Sequence, residues 1–271
     1  MFRDNPTREP DMKIGFISDI HEDELRLRES IRILESNCDR IVCLGDIIGY
    51  TVPYYGFLKS RNAHGCVQLV KEHCDIAVVG NHDLAAIGKL PRHDSDVRYP
   101  KDFYKFDLPK RTRLAKKFGI WPYENDLPAV IDKGDVRFLR RLPEYRVERL
   151  DGIRVLISHY GYPDLVGNLA KDIINPKDAV GQIEFQIKNK CTFGISGHDH
   201  SEGIRIFDKK QVRLIKFGSR VKIRENSWIN CPCVANGTFA NGVAVLDTEK
   251  TGITAIPLKT KRHFKPAWRM R

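Results

Sequence analysis

Lys13-Ile-Gly-Phe-Ile-Ser-Asp-Ile-His21 is a short apolar run that ends on an acid and a histidine. Four to eight apolar residues without helical periodicity read as a buried strand. Downstream, Glu22 to Asn37 places Leu25, Leu27, Ile31, Ile33 and Leu34 among many charges, roughly an amphipathic helix. Arg40 to Leu44 is a second strand and stops at Gly45-Asp46. Ala63 to His73 reads as a second helix, and Asp75 to Val79 as a third strand that stops at Gly80-Asn81-His82-Asp83. Strands alternating with helices predict parallel βαβ units.

The pattern changes between Leu84 and Leu150. This stretch holds Tyr99, Phe103, Tyr104, Phe106, Trp121 and Tyr123 with several prolines and many cations. It is expected to form helices and loops over the sheet edge, a cap insert at about 84–150, with a short helix over Asp135 to Arg141. Ile153 to Ile157 then resumes as a strand ending at Ser158-His159. A helix over Asp178 to Asn189 and a strand over Thr192 to Ile195 follow, and that strand runs into Gly197-His198-Asp199-His200. The remainder is strand-like at Ile204 to Phe207, Val212 to Phe217, Val243 to Asp247 and Ile253 to Leu258, with Thr248 to Gly252 as a hairpin loop. A parallel half followed by antiparallel strands implies two sheets packed face to face with helices outside.

Bulk properties restrict the function classes. The chain has 271 residues, 41% of them hydrophobic and 30% charged, as in folded globular proteins. No stretch nears the roughly 20 apolar residues of a membrane helix. Met1 to Met12 is polar and unlike a signal peptide, so a cytoplasmic location is the expectation. Seven irregularly spaced cysteines do not form a disulfide framework. Cys231-Pro232-Cys233 has no second pair with finger-like spacing and reads as buried thiols. The net charge of +11, with a basic tail over 259–271, favours anionic partners such as phosphoesters, nucleic acid among them.

Each of the five strands between Lys13 and Ile195 therefore ends on candidate metal ligands. In open α/β sheets, ligands gather beyond the carboxyl ends of the strands. In extended backbone, residues two apart point to one side, so Asp19 with His21, and His198 with His200, are expected to aim at one place. Singly, an Asp-x-His triplet is a common accident and Gly-Asp is usually a turn. Five such motifs, each after a strand, are a different matter.

In this order the motifs resemble those of the calcineurin-like metallophosphoesterase superfamily, in a member of bacterial or archaeal type. Its pattern is Asp-x-His, Gly-Asp, Gly-Asn-His-Asp/Glu, a later His and Gly-His-x-His, and the resemblance runs from about Met12 to Leu258. It implies an α/β (α+β) fold, a single-domain four-layer α/β/β/α sandwich of two mixed sheets flanked by helices. It also implies two metal ions, drawn from Mn, Fe, Zn, Ni or Co. Asp19, His21 and His200 would hold the first, Asn81, His159 and His198 the second, and Asp46 would bridge them. His82 is similar to the non-ligand histidine that stabilises the phosphate and protonates the leaving oxygen. Asp83 is the candidate to orient a histidine, or else a helix cap. The implied reaction is hydrolysis of phosphomonoesters or phosphodiesters by water activated between cations about 3.5–4 Å apart.

Two departures stand out. Many bacterial relatives carry Asn-Pro-Gly-Ser after the last motif, and here Asn230-Cys-Pro-Cys-Val234 lacks the Gly-Ser pair. The insert is long, and His93, Tyr99, Lys101, Tyr123, Tyr160 and Tyr162 are candidates to shape the pocket. Competing readings are a nuclease, drawn from the charge, and a protein-binding scaffold like the retromer subunit of the superfamily. Scaffolds of that kind tend to lose a ligand or the histidine, and none is lost here.

Overall fold

The strand over Lys13–Ile17 (β1) is buried from Ile14 onward on both faces, which places it inside a sheet. The computed structural model describes residues 12–52, 54–93, 99–100, 102–170, 173–237 and 239–259. Along the chain, β1 is followed by α1 (Glu24–Glu35), β2 (Arg40–Cys43), β3 (Tyr50–Thr51), α2 (Ala63–His73), β4 (Ile76–Ala77) and α3 (Asn81–Ala86). Next come α4 (Leu108–Phe118), β5 (Asp126–Leu127), α5 (Lys133–Arg141), β6 (Tyr145–Leu150), β7 (Ile153–Ser158) and α6 (Val180–Lys188). The last elements are β8 (Phe193–Ser196), β9 (Ile204–Phe207), β10 (Val212–Ile215), β11 (Arg220–Lys222), β12 (Trp228–Asn230), β13 (Gly242–Asp247) and β14 (Gly252–Pro257).

Two six-stranded mixed sheets result, in the orders β11-β14-β13-β1-β2-β4 and β10-β9-β12-β8-β7-β6. Parallel strands β1, β2 and β4 form one half of the first sheet, and parallel β7, β8 and β12 lie within the second. The expected hairpin is present, with Asp247 paired to Gly252.

The sheets face each other across Ile14, Phe16, Val42, Leu44, Ile157, Ile195, Ile206 and Leu246, all buried. The other face of the first sheet packs Ile17, Ile41 and Cys43 under Leu27, Ile31 and Leu34 of α1 and Val67 and Val70 of α2. Each such side chain contributes about 1.5–3 kcal/mol by leaving water. Gly15 makes close packing possible there, since a Cβ would stand 2.8 Å from the Leu34 methyls. Trp228, Phe207 and Tyr160 cover the second sheet under Ala179 and Ile183 of the α6 segment. The fold is the expected α/β/β/α arrangement.

Some elements differ from the sequence reading. Tyr145 to Leu150, expected to be helix or loop, is an edge strand paired along its length with β7. Its Arg146, Glu148 and Arg149 obscure the apolar alternation, as charges on a protected edge do. β11 and β12 are three residues each, too short for periodicity to show. The third parallel strand holds only Ile76–Ala77, because Val79 leaves the ladder and its N–H donates to the Pro143 carbonyl (2.9 Å). No described helix is long and apolar enough to cross a membrane. The 259–271 tail, past Lys259, lies outside the described residues.

Candidate metal centre

The first parallel strands stop together, and their following turns hook onto one another. The N–H groups of Asp19, Ile20 and His21 donate to the carbonyls of Gly45 and Asp46, and Gly197 N–H donates to the His159 carbonyl. Val234 and Ala235 donate to the carbonyls of Ser18 and Asp19, so the segment after β12 closes the same rim.

The paired candidate ligands do not lie on extended backbone. Asp19, His21, Asp46, His198 and His200 all have positive φ, between 46° and 72°. The ligands converge because the chain turns left-handed at each of them, which costs non-glycine residues about 1–2 kcal/mol apiece. Such strain persists where surrounding bonds over-determine it and clusters at functional sites.

The two aspartates divide their oxygens alike. Asp19 Oδ2 accepts from His198 N–H (2.9 Å), and Asp46 Oδ1 accepts from His82 N–H (2.8 Å). Each carboxylate thus ties its own turn to a distant motif and leaves one oxygen for the centre. Asp19 Oδ1 is buried without a hydrogen-bond donor among the described residues and stands 3.3 Å from His200 Nε2. Asp46 Oδ2 lies 3.8 Å from His21 Nε2 and 3.1 Å from His159 Nε2. A single Asp46 oxygen, rather than one on each side, stands between the two sets.

Those sets are Asp19, His21 and His200, and Asp46, His159 and His198, the donor atoms of each lying within 4.8 Å of one another. His21 Nδ1–H donates to the Gly49 carbonyl (2.8 Å) and His159 Nδ1–H to the Leu44 carbonyl (2.7 Å), which turns both Nε2 atoms inward. The Gly49 anchor is itself held: Gly49 N–H donates to buried Glu22, which pairs with Arg61 at 3.1 Å. Asn81 joins the second set. Its amide NH2 donates to Tyr123 Oη (3.1 Å), which donates to Asn168 Oδ1 (2.8 Å). The Asn81 oxygen then faces Asp46 Oδ2, His198 Nδ1, His159 Nε2 and the Val166 carbonyl oxygen at 3.1 to 3.3 Å. Inverting the amide would give those acceptors an N–H; as it stands, its oxygen is one more donor for a cation.

Charge follows geometry. Burial would raise the Asp19 and Asp46 carboxyls, but the surrounding histidines hold both well below the usual carboxylate range. Burial pushes His21 and His198 down to about 3, so both present lone pairs. Burial opposes a proton on His159, yet Asp46 and Asp19 raise it to about 10. That proton sits between Nε2 and Asp46 Oδ2, where a cation would satisfy the same atoms. Buried imidazoles, two carboxylate oxygens and an amide oxygen fit borderline divalent metals.

His82 lies beside the centre. Its Nδ1 is 2.6 Å from Asp126 Oδ2, and Asp126 Oδ1 accepts from Thr51 Oγ (2.6 Å). Burial lowers the His82 pKa, but Asp126 and Asp46 overcome it and raise it to about 9. Asp83, the residue expected to orient a histidine, instead accepts from Ile48 N–H and Gly80 N–H, both at 3.0 Å. Its place is the first turn of α3, where it caps the helix and braces the Asp46 turn. The carboxylate that meets His82 is Asp126, within the 84–150 stretch, where no motif marks it.

The other candidates are scattered. Tyr123 reaches the centre through Asn81, and Tyr160 packs its ring on His198 at 4.3 Å. Tyr162 stacks on Phe185, Tyr99 packs on Phe103, and His93 packs on Tyr145. Lys101 lies outside the described residues. Cys231 and Cys233 are buried free thiols, and no cysteine joins a metal-ligating group among the described residues.

The chain is 27% identical over 216 residues to an uncharacterized protein of Methanocaldococcus jannaschii, covering 76% of this chain and 75% of that one. Its fold is similar to a metallophosphoesterase from Sphaerobacter thermophilus, with a TM-score of 0.64, 19% identity and coverage of 93% and 90%. A hypothetical protein of Pyrococcus horikoshii is similar at a TM-score of 0.53, 14% identity and coverage of 92% and 89%. Residues 12–234 match the calcineurin-like phosphoesterase superfamily domain, a span that holds every motif residue from Asp19 to His200, and the chain belongs to that superfamily.

Proposed function

We propose that this protein is a dinuclear metal-dependent phosphoesterase that hydrolyses phosphomonoesters or phosphodiesters. The observation that carries the reading is the pair of three-residue donor sets meeting at Asp46 Oδ2. Two cations held there would neutralise phosphate oxygens and lower the pKa of a water.

The remaining roles belong to the chain itself. Asp19, His21 and His200 hold one side, and Asn81, His159 and His198 the other. The carbonyls of Gly49 and Leu44 fix the tautomers of His21 and His159, so no reorganisation is needed before substrate arrives. Asp126 engages His82 Nδ1, which leaves Nε2–H to bond the phosphate and pass a proton to the leaving oxygen. Burial excludes bulk water from these groups and strengthens each of these interactions.

Metal analysis of the purified protein joined to a substrate panel tests the reading. Turnover of an aryl phosphate or a bis-aryl phosphate that rises with added metal is expected. Asp46→Asn should abolish it, and His82→Ala should lower it about 10²–10⁴-fold. Metal-loaded protein that hydrolyses no phosphoester would leave the fold to a binding role.

A further inference from the structure

Next to the His82–Asp126 pair lies a cavity of about 270 Å³. Gly49, Tyr123 and Asp126 belong both to its wall and to the surroundings of His82. The rest of the wall comes largely from the insert: Phe103, Tyr104 and Pro128 supply flat apolar surface, and Arg111 from the first turn of α4 supplies the one cation of this lining among the described residues. The Arg111 guanidinium stands 5.8 Å from the Tyr104 ring centre, and its Nε is buried with no hydrogen-bond partner among the described residues. The carboxylate in the wall does not serve it, because both Asp126 oxygens are engaged by His82 and Thr51. A buried N–H without an acceptor is costly, and a planar guanidinium beside aromatic rings is suited to an anion attached to a flat group.

We infer that this cavity holds the part of the substrate beyond the scissile phosphate, and that the substrate is a phosphoester or phosphoanhydride whose leaving portion carries a flat ring and a second anionic group, as nucleotides do. The inference rests on the phosphoesterase reading above. Aromatic side chains stack on the ring, and Arg111 bonds the second anion, bidentate where geometry permits. The volume sits just under the usual range for small-molecule sites, so it takes a single ring-bearing unit and not a polymer. This argues against a duplex nucleic acid as the preferred substrate.

The test uses adenosine monophosphate as probe, with inorganic phosphate and adenosine as comparators, followed by calorimetry and by inhibition of aryl phosphate hydrolysis. Adenosine monophosphate should bind at least tenfold tighter than either comparator and should inhibit competitively. Arg111→Met should weaken its binding at least tenfold while changing inorganic phosphate binding less than threefold. Tyr104→Leu should weaken it without altering charge, and Arg111→Lys should retain part of the affinity; these two carry the test if Arg111→Met does not fold. Equal binding of adenosine monophosphate and phosphate, wild-type affinity in Arg111→Met, or non-competitive inhibition would each overturn the inference. Absence of any aryl phosphate turnover would instead count against the phosphoesterase reading, because calorimetry still reads the cavity.

Discussion

The proton on His82 is kept against the cost of burial by two carboxylates, Asp126 at 2.6 Å and Asp46. A general acid acts in its protonated form, so activity should fall as pH rises through the pKa of His82. In Asp126→Asn one of the two supporting charges is lost, the pKa drops, and the alkaline limb of the kcat profile should move to lower pH. A bound cation also lowers this pKa, but it does so in both proteins, and the direction of the difference survives. A profile for Asp126→Asn that coincides with wild type would show that the contact does not govern the proton. Tyr123 poses a separable case: its hydroxyl connects Asn81 to Asn168. Tyr123→Phe removes that connection and should weaken metal binding about 10–100-fold, the usual effect of losing a partner that orients a ligand. Competition with a metal-sensitive dye would measure this.

Element by element, the turns beyond the strands carry the site, and their packing leaves no slack. At Gly197 a Cβ would stand 1.7 Å from Ser18 Oγ and 2.7 Å from Asp19 Oδ2, so Gly197→Ala must push the first motif away from the last. Metal affinity should drop more than tenfold and the melting temperature should fall. Gly119, with φ of +66° and open space around it, is the control: Gly119→Ala should cost about 1–2 kcal/mol through the left-handed backbone alone and leave metal affinity intact. Equal metal affinities in the two variants would contradict the packing argument. The same turns explain what could be read from the sequence. The seven candidate ligands were legible as a set because their residue types and their order after apolar runs need no knowledge of the turns. The left-handed conformation of Asp19 and His200 was not, since only glycine advertises positive φ. Asp126 was invisible because its partner is brought to it by β3 pairing with β5, two strands of two residues each, in which Thr51 faces Asp126. β6 was missed because an edge strand needs polar residues where a periodicity argument looks for apolar ones.

At the scale of the whole molecule, the centre is a joint. β1 and β2 of one sheet and β7 and β8 of the other bring the candidate ligands to it, while the facing sides of the sheets pack mainly apolar side chains against each other. A cation there would link both sheets, and only in the folded chain are the donors assembled. Metal should therefore stabilise by mass action, about 2.7 kcal/mol for one site at a free concentration a hundred times its Kd. For a chain of this size, each kcal/mol moves the melting temperature by about 2–4 °C, so saturating manganese or zinc should raise it by roughly 5–10 °C over chelator-treated protein. Asp46→Asn removes the charge shared by both donor sets and should lose most of that shift, while a surface variant such as Lys116→Ala should keep it. Identical melting of loaded and chelated wild-type protein would mean that the seven residues form a polar core and hold no metal.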